Sequence, residues 1–404
     1  MQFLSPIRPS DFDFFSSESL PRLGDQIVVH TPEAGMPDMP SRSLVILGVP
    51  EDRGTEANAG CAQAPDRIRH YLYTLAPLAP LEENTSPSPS GEGRGGAGLY
   101  DFGNIIPGQD VEDTYYALSE TLAEFLRHDN TVLLLGGSQD LTFPAYKAYE
   151  RISRIINIST IDPRFDIDPF EEITSRTYMR HIVMQTPNYL FFHANLGCQN
   201  YFVGTSQLQL MDDLKFDACR LGELQHDMTR AEALLRNADL VSVDIAAVRQ
   251  SDAPGVGAPS PHGFYGEQLC QMLSFAGMSD KVSCLGLFEV NPDYDRGDQT
   301  VHMAAQAAWH FIEGYFNRLG DSPRLAPEKC LRYKVLLDDQ GLELLFFKSK
   351  ISERWWVEVP CDNPELYELY SRHLLLPCTY ADYQQAMQGE IPALWWRYYR
   401  RLHP

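Results

Sequence analysis

The chain has 404 residues, 44% of them hydrophobic, which is enough to bury a substantial core and sets a prior of two or three domains. Lys and Arg number 33 against 55 Asp and Glu, a formal charge of -22 that repels phosphate backbones and anionic lipid, so no nucleic-acid partner is expected. The opening MQFLSPIRPSDFDFF lacks a basic start before an apolar run, and no apolar stretch of about 18 residues follows anywhere, so neither secretion nor membrane spanning is expected and the reading is cytoplasmic.

Residues 1–39 read as an N-terminal extension. From Ser43 to Val49 (SLVILGV), Thr131 to Leu135 (TVLLL) and Leu240 to Val243 (LVSV) run short apolar segments ending at Gly, Ser or Asp, the pattern of strands buried on both faces. Between them lie helical patterns such as Val111 to Arg127, with apolar residues every three or four positions behind an acidic first turn. Strands alternating with helices predict a three-layer α/β/α fold with a mainly parallel sheet, whose ligands gather at the carboxyl ends of the strands. Residues 84–98 are rich in Pro, Ser and Gly and read as a mobile surface loop. The eight cysteines are scattered without a Cys-x-x-Cys pair and are expected to be reduced and mostly in the core.

After about Arg318 the alternation stops. Residues 319–404 read as an appended α+β unit: two strands around an Asp-Gln-Gly turn and an aromatic, arginine-rich helix, ALWWRYYRRL (Ala393 to Leu402). That helix either packs against its own chain or offers a surface to a protein partner.

Polar residues directly beyond the apolar runs are the ones to inspect. Asp162 and Asp166 stand four residues apart after one strand, in IDPRFDID. Carboxylates crowded at a strand end need a cation or hydrogen bonds to offset their repulsion, so either a metal site or the acidic first turn of a helix is expected there. Asp293 and Asp295 follow Glu289 closely, which suits an amine or guanidinium ligand or an exposed acidic loop.

Several motifs then fall in a telling order: GVPEDRGTEANAG (Gly48 to Gly60), APDRIR (Ala64 to Arg69), LLLGGSQDLTFP (Leu133 to Pro144), DPRFD (Asp162 to Asp166), SRTYMRHI (Ser175 to Ile182), VSVDIAAV (Val241 to Val248), APGVGAP (Ala253 to Pro259) and FEVNP (Phe288 to Pro292). Together, over residues 40–318, they resemble the ureohydrolase family of arginase, agmatinase and formiminoglutamase, nearest the formiminoglutamase branch.

The resemblance implies a site for two manganese ions that deliver hydroxide to a guanidinium or formimino carbon, held by GGDH, DAHxD and DxD motifs. Here the GGDH histidine is replaced by Gln139 and the DAHxD histidine by Arg164; Asp162, Asp166 and Asp244 persist, and Ala246 stands where the second DxD aspartate belongs. Three of the six implied ligands are thus missing. What remains is a residual single-metal set of Asp162, Asp166, Asp244 and Gln139, or no metal at all, with Arg164 expected between Asp162 and Asp244 in place of an ion. The same resemblance puts Ser175, Glu289 and Asn291 around a small guanidino, formimino or amine ligand, and implies a homo-oligomer. The expectation is a protein without two-manganese hydrolysis that binds, scaffolds or regulates; the alternative is an active hydrolase of a linear amidine C–N bond, with one Mn²⁺.

Overall fold

A computed structural model describes residues 2–8, 20–79, 98–337 and 341–403. In chain order the strands and helices are β1 (Leu4–Ser5), β2 (Ile27–Val29), β3 (Leu44–Val49), α1 (Ala64–Leu72), β4 (Leu99–Ile105), α2 (Val111–Arg127), β5 (Thr131–Gly136), α3 (Thr142–Arg151), β6 (Ile156–Ile161), α4 (Tyr178–Val183), β7 (Leu190–Cys198), α5 (Thr205–Asp213) and β8 (Asp217–Arg220). They continue through α6 (Leu221–His226), α7 (Thr229–Arg236), β9 (Leu240–Asp244), α8 (Gly266–Gly277), β10 (Cys284–Phe288) and α9 (Gln299–Phe316) to a second set: β11 (Cys330–Leu337), β12 (Leu342–Ser349), β13 (Trp355–Glu358), α10 (Pro364–Tyr370), β14 (Leu375–Cys378), α11 (Tyr380–Met387) and α12 (Ala393–Leu402).

The apolar runs fold as their patterning dictates. Every residue of β3, β5 and β10 is buried, because helices cover both faces of the sheet they form. That sheet has the order β1-β4-β3-β5-β10-β9-β6-β7-β8, with β2 also on β4, and all its pairings are parallel except that of β1. Helix α2 spans the residues its periodicity indicates; Asp110 caps it, and the Asp113 carboxylate accepts the Asp110 N–H at 3.2 Å. Helices α1, α9, α8 and α7 pack side by side in one group, and α2, α3 and α4 in another. The fold is the expected α/β/α sandwich.

The N-terminal stretch is no separate appendage, since β1 and β2 pair with β4 and extend the sheet's edge. The stretch expected as a mobile loop, apart from Gly98, and all of the Asp-Gln-Gly turn except Gly341, lie outside the described residues. All eight cysteines are free, and all but Cys361 are buried.

Strands β11 to β14 form a second, antiparallel sheet. It shares one continuous apolar core with the main sheet. Helix α12 seals the junction: Trp395 and Tyr398 are buried, Trp395 Nε1 donates to the Glu358 carbonyl at 2.8 Å, and the Tyr398 hydroxyl accepts from Asn157 Nδ2 at 3.1 Å. The helix therefore turns its arginine-flanked aromatics largely onto its own chain, leaving Trp396 partly exposed. Among the described residues no helix is long and apolar enough to cross a membrane.

Candidate functional site

Four neighbouring strands in the middle of the sheet, β5, β10, β9 and β6, carry the candidate residues at their carboxyl ends. Phe288 pairs with Asp244 and Ile161 with Val243, so Glu289, Asp244 and Asp162 leave the sheet at nearly one level; Gln139 follows the Gly136-Gly137 turn after β5. The chain skips from β5 to β6 here, leaving β9 and β10 to fill the gap, and such a reversal of strand order opens a crevice.

Glu289 is held from two sides. Its Oε1 accepts from the Gln139 N–H at 2.8 Å and its Oε2 from Asn58 Nδ2 at 2.8 Å, while its backbone sits in the left-handed region at φ 65°. A non-glycine residue there costs roughly 1–2 kcal/mol, tolerated because this network fixes it. Asn291 does not reach the carboxylates: its amide donates to the Asn58 carbonyl and Oδ1 and to the Ala59 carbonyl, at 2.9 to 3.1 Å. It braces the 48–60 loop instead of offering those donors to a ligand. Ser175 is buried on the other flank, its N–H bonded to the Gly54 carbonyl at 2.9 Å.

Asp162 Oδ1 accepts from the Arg164 N–H at 2.7 Å, and its buried Oδ2 has no hydrogen-bond partner among the described residues. Asp244 Oδ1 accepts from the Ala246 N–H at 2.7 Å. Asp166, at φ 52°, faces Arg176, whose Nε lies 3.7 Å from its Oδ1. Gln139 turns its amide nitrogen to the Tyr178 hydroxyl at 3.1 Å and Ser242 Oγ at 3.3 Å. Asp162, Asp166, Gln139 and Glu289 are buried, whereas Arg164, Asp244 and Ala246 are half-buried.

Crowding and burial act together on these acids. Burial, then the neighbouring Asp162 and Asp244 charges, hold the Asp166 carboxyl well above the usual range. Asp244 is raised by burial, Asp162 and Glu289. Burial also lifts Glu289 to about 7 against the opposing hydrogen bonds from Asn58 and Gln139, and lifts Asp140, the residue after Gln139, to about 6.

The expectation for Arg164 is corrected. Its guanidinium lies over the Phe202 ring, 4.1 Å from the centroid, and forms no ion pair among the described residues. Burial and Arg176 disfavour its charge while Asp166, Asp162 and Asp244 favour it, so the side chain stands beside the carboxylates, stacked on Phe202, without forming an ion pair with them among the described residues. The guanidinium that comes within ion-pair distance of the cluster is that of Arg176, 3.7 Å from Asp166. Arg164→Ala is therefore expected to lower stability by only about 1 kcal/mol, the scale of an accessible cation–π contact, where a guanidinium buried between carboxylates would cost several; a thermal melt checks it.

Arg176, Tyr178, Ser242 and Asp140 complete the site and were not singled out from the sequence. The first two lie in SRTYMRHI, noted only as part of a resemblance, and Ser242 lies inside an apolar strand, where nothing marks its hydroxyl as facing the Gln139 amide. Asp140 adjoins Gln139 and is fully buried, with Oδ1 unpartnered among the described residues; its place three residues after the GG pair was the available signal.

The donor chemistry does not fit two manganese ions. No histidine stands at the implied ligand positions, which Gln139 and Arg164 occupy, Gln139 presents its amide nitrogen, and among the described residues no three His, Cys, Asp or Glu side chains are placed to hold a metal ion.

Sheet order, strand-end acids and buttressed Glu289 define a ureohydrolase-type α/β/α protein. Residues 42–313 match the model of the arginase family, and the chain belongs to that family. Within it the likeness runs to the formiminoglutamase branch. The chain is 26% identical over 283 residues to a formimidoylglutamase of Staphylococcus haemolyticus, covering 66% of this chain and 85% of that protein. It is also 26% identical over 290 residues to one of Staphylococcus aureus, covering 68% and 87%. Among solved structures, formimidoylglutamase from Bacillus subtilis superposes with a TM-score of 0.63 at 20% identity, over 75% of this chain and 95% of that one. Trypanosoma cruzi formiminoglutamase with Mn²⁺ gives 0.63 at 21%, over 74% and 100%. At such identities the superpositions establish the fold.

Proposed function

We propose that this arginase-family protein does not run two-manganese hydrolysis and uses its strand-end carboxylates to hold a small cationic ligand, a guanidino, formimino or amine compound, in a binding or regulatory role. One observation carries the reading: Asp162, Asp166, Asp244 and Glu289 form an acidic cluster without the histidines that two ions need, with Arg176 at 3.7 Å from Asp166 and Arg164 beside it without an ion pair among the described residues. Clustered carboxylates of raised pKa favour a cation that shares their hydrogen-bonding directions, and a planar amidinium does so bidentately. A cytoplasmic homo-oligomer accords with the absence of any membrane-spanning helix among the described residues and with family membership.

A second reading is an active hydrolase of a linear amidine C–N bond, with one Mn²⁺ at Asp162, Asp166, Asp244 and Gln139. Family membership and the matched relatives' names favour it, as does the close approach of Asp162 to Asp166 and Gln139, which brings three of those four donors together.

Metal content by mass spectrometry after manganese loading and desalting separates the two. Our reading expects no stoichiometric Mn²⁺, no turnover of guanidino or formimino compounds, and calorimetric binding of such a compound that Asp166→Asn weakens. About one ion per chain, lost in Asp162→Ala or Asp244→Ala, would establish the second reading.

A further inference from the structure

A cavity of about 610 Å³ opens at the same edge of the sheet, one step outward from the carboxylates. Its walls are the end of β7 with Gln199 and Asn200, the end of β8 with Arg220, and the segment after β9 that carries Arg249, His262 and Tyr265. None of its lining residues is Asp or Glu, on a chain of formal charge -22.

Arg220 offers its whole guanidinium and Arg249 the two terminal amino groups that its ion pair with Asp252 leaves over. Arg220 is exposed and has no ion pair among the described residues. The Arg249 guanidinium lies 3.8 Å from the centroid of the Tyr265 ring, and its Nε donates to Asp252 Oδ1 at 2.9 Å. Stacking and that single bond fix its plane, while its two terminal amino groups have no hydrogen bond among the described residues. A guanidinium held this way is pre-organised to grip an oxyanion with little further loss of side-chain entropy. Asp252 is the ion-pair partner of Arg249 through Nε alone, its Oδ2 accepting from the Gly266 N–H at 3.0 Å, and Glu223 pairs with Arg230 at 3.4 Å. Asn200 adds an amide to the wall, whereas the Gln199 amide is taken up by the His262 carbonyl and the Tyr201 hydroxyl.

We infer that this cavity binds the oxyanion of a small organic anion, a carboxylate or a phosphate, between Arg220 and Arg249. The site is independent of the acidic cluster, since Asp162, Asp166, Asp244 and Glu289 do not line it.

Calorimetric titration of the full chain with glutarate and with inorganic phosphate tests this. At least one probe is expected to bind, and Arg220→Ala and Arg249→Ala are each expected to weaken it about tenfold, the scale of one charge-assisted contact. Arg220 is exposed, so its variant should melt with the wild type, and Arg220→Lys should restore part of the affinity. Tighter glutarate binding would assign a carboxylate ligand and tighter phosphate binding a phosphate ester. Failure of both probes to bind, or equal affinity in the wild type and both alanine variants, would overturn the proposal. Neither result bears on the manganese measurement above.

Discussion

Replacing Arg69 with alanine is expected to destabilise the fold by about 3–5 kcal/mol, the cost of leaving one partner of a buried ion pair uncompensated. Arg69 lies in the APDRIR segment and is fully buried. Its Nε and Nη2 grip both oxygens of the buried Asp101 at 2.8 and 3.1 Å, and Nη2 also donates to the Gly103 carbonyl at 2.8 Å. Asp101 additionally accepts from the Tyr73 hydroxyl at 2.7 Å and the Gly103 N–H at 2.9 Å, so the clamp ties α1 to β4. Gly48 lies against it: a Cβ there would fall 1.8 Å from Asn104 Oδ1 and 2.7 Å from Arg69 Nη1. Gly48 lies near the end of β3, and the loop that follows carries Asn58 to Glu289, so loosening the clamp should also weaken ligand binding at the site. Urea denaturation checks the stability term, and pairing Arg69→Met with Asp101→Asn should recover part of the loss because no charge is then left unpaired. A loss below about 1 kcal/mol in Arg69→Ala would show that Asp101 does not depend on the pair.

Patterns set by burial were legible in the sequence, whereas side-chain direction was not. SLVILGV and TVLLL have the pattern expected of strands covered on both faces, and VEDTYYALSETLAEFLR that of a helix burying one face; each appears where its pattern put it. The strand-end acids were legible for the same reason, since Asp162, Asp244 and Glu289 directly follow or end apolar runs. Arg164 was misplaced because a sequence gives the residue's position and not its rotamer: with the backbone N–H bonded to Asp162, the side chain turns onto Phe202, some 40 residues onward in the chain. Arg176 and Tyr178 reach the carboxylates from α4 and the turn before it, a contact that only the packing of that segment over the strand ends creates. Asn291 was placed at the pocket by the family resemblance, and no sequence pattern shows that the segment before α1 takes up its amide donors.

Stability of the metal-free chain is expected to be greatest in mild acid and to fall as the pH rises toward 7. The sign follows from linkage. Asp140 moves from 3.8 when unfolded to about 6, and Glu289 from 4.5 to about 7, both because burial penalises the charged form. Between those limits the folded chain keeps protons that the unfolded chain has released, so raising the pH favours unfolding. The loss begins at the unfolded values and is complete above the folded ones. Each group contributes on the order of 3 kcal/mol at most, with Asp166 and Asp244 shifting in the same direction. Asp166→Asn, which removes one charge from the cluster, should flatten the curve and stabilise the chain at neutral pH. Chemical denaturation across this range, with chelator and then with excess Mn²⁺, gives the decisive comparison. A bound ion would keep the carboxylates charged at little cost, so a curve that manganese flattens would mean the cluster is a metal site after all, and Asp166→Asn should then destabilise. A decline unchanged by manganese but relieved by an alkylguanidine would mean that the acids await an organic cation, which is the role their number, burial and lack of imidazole neighbours support.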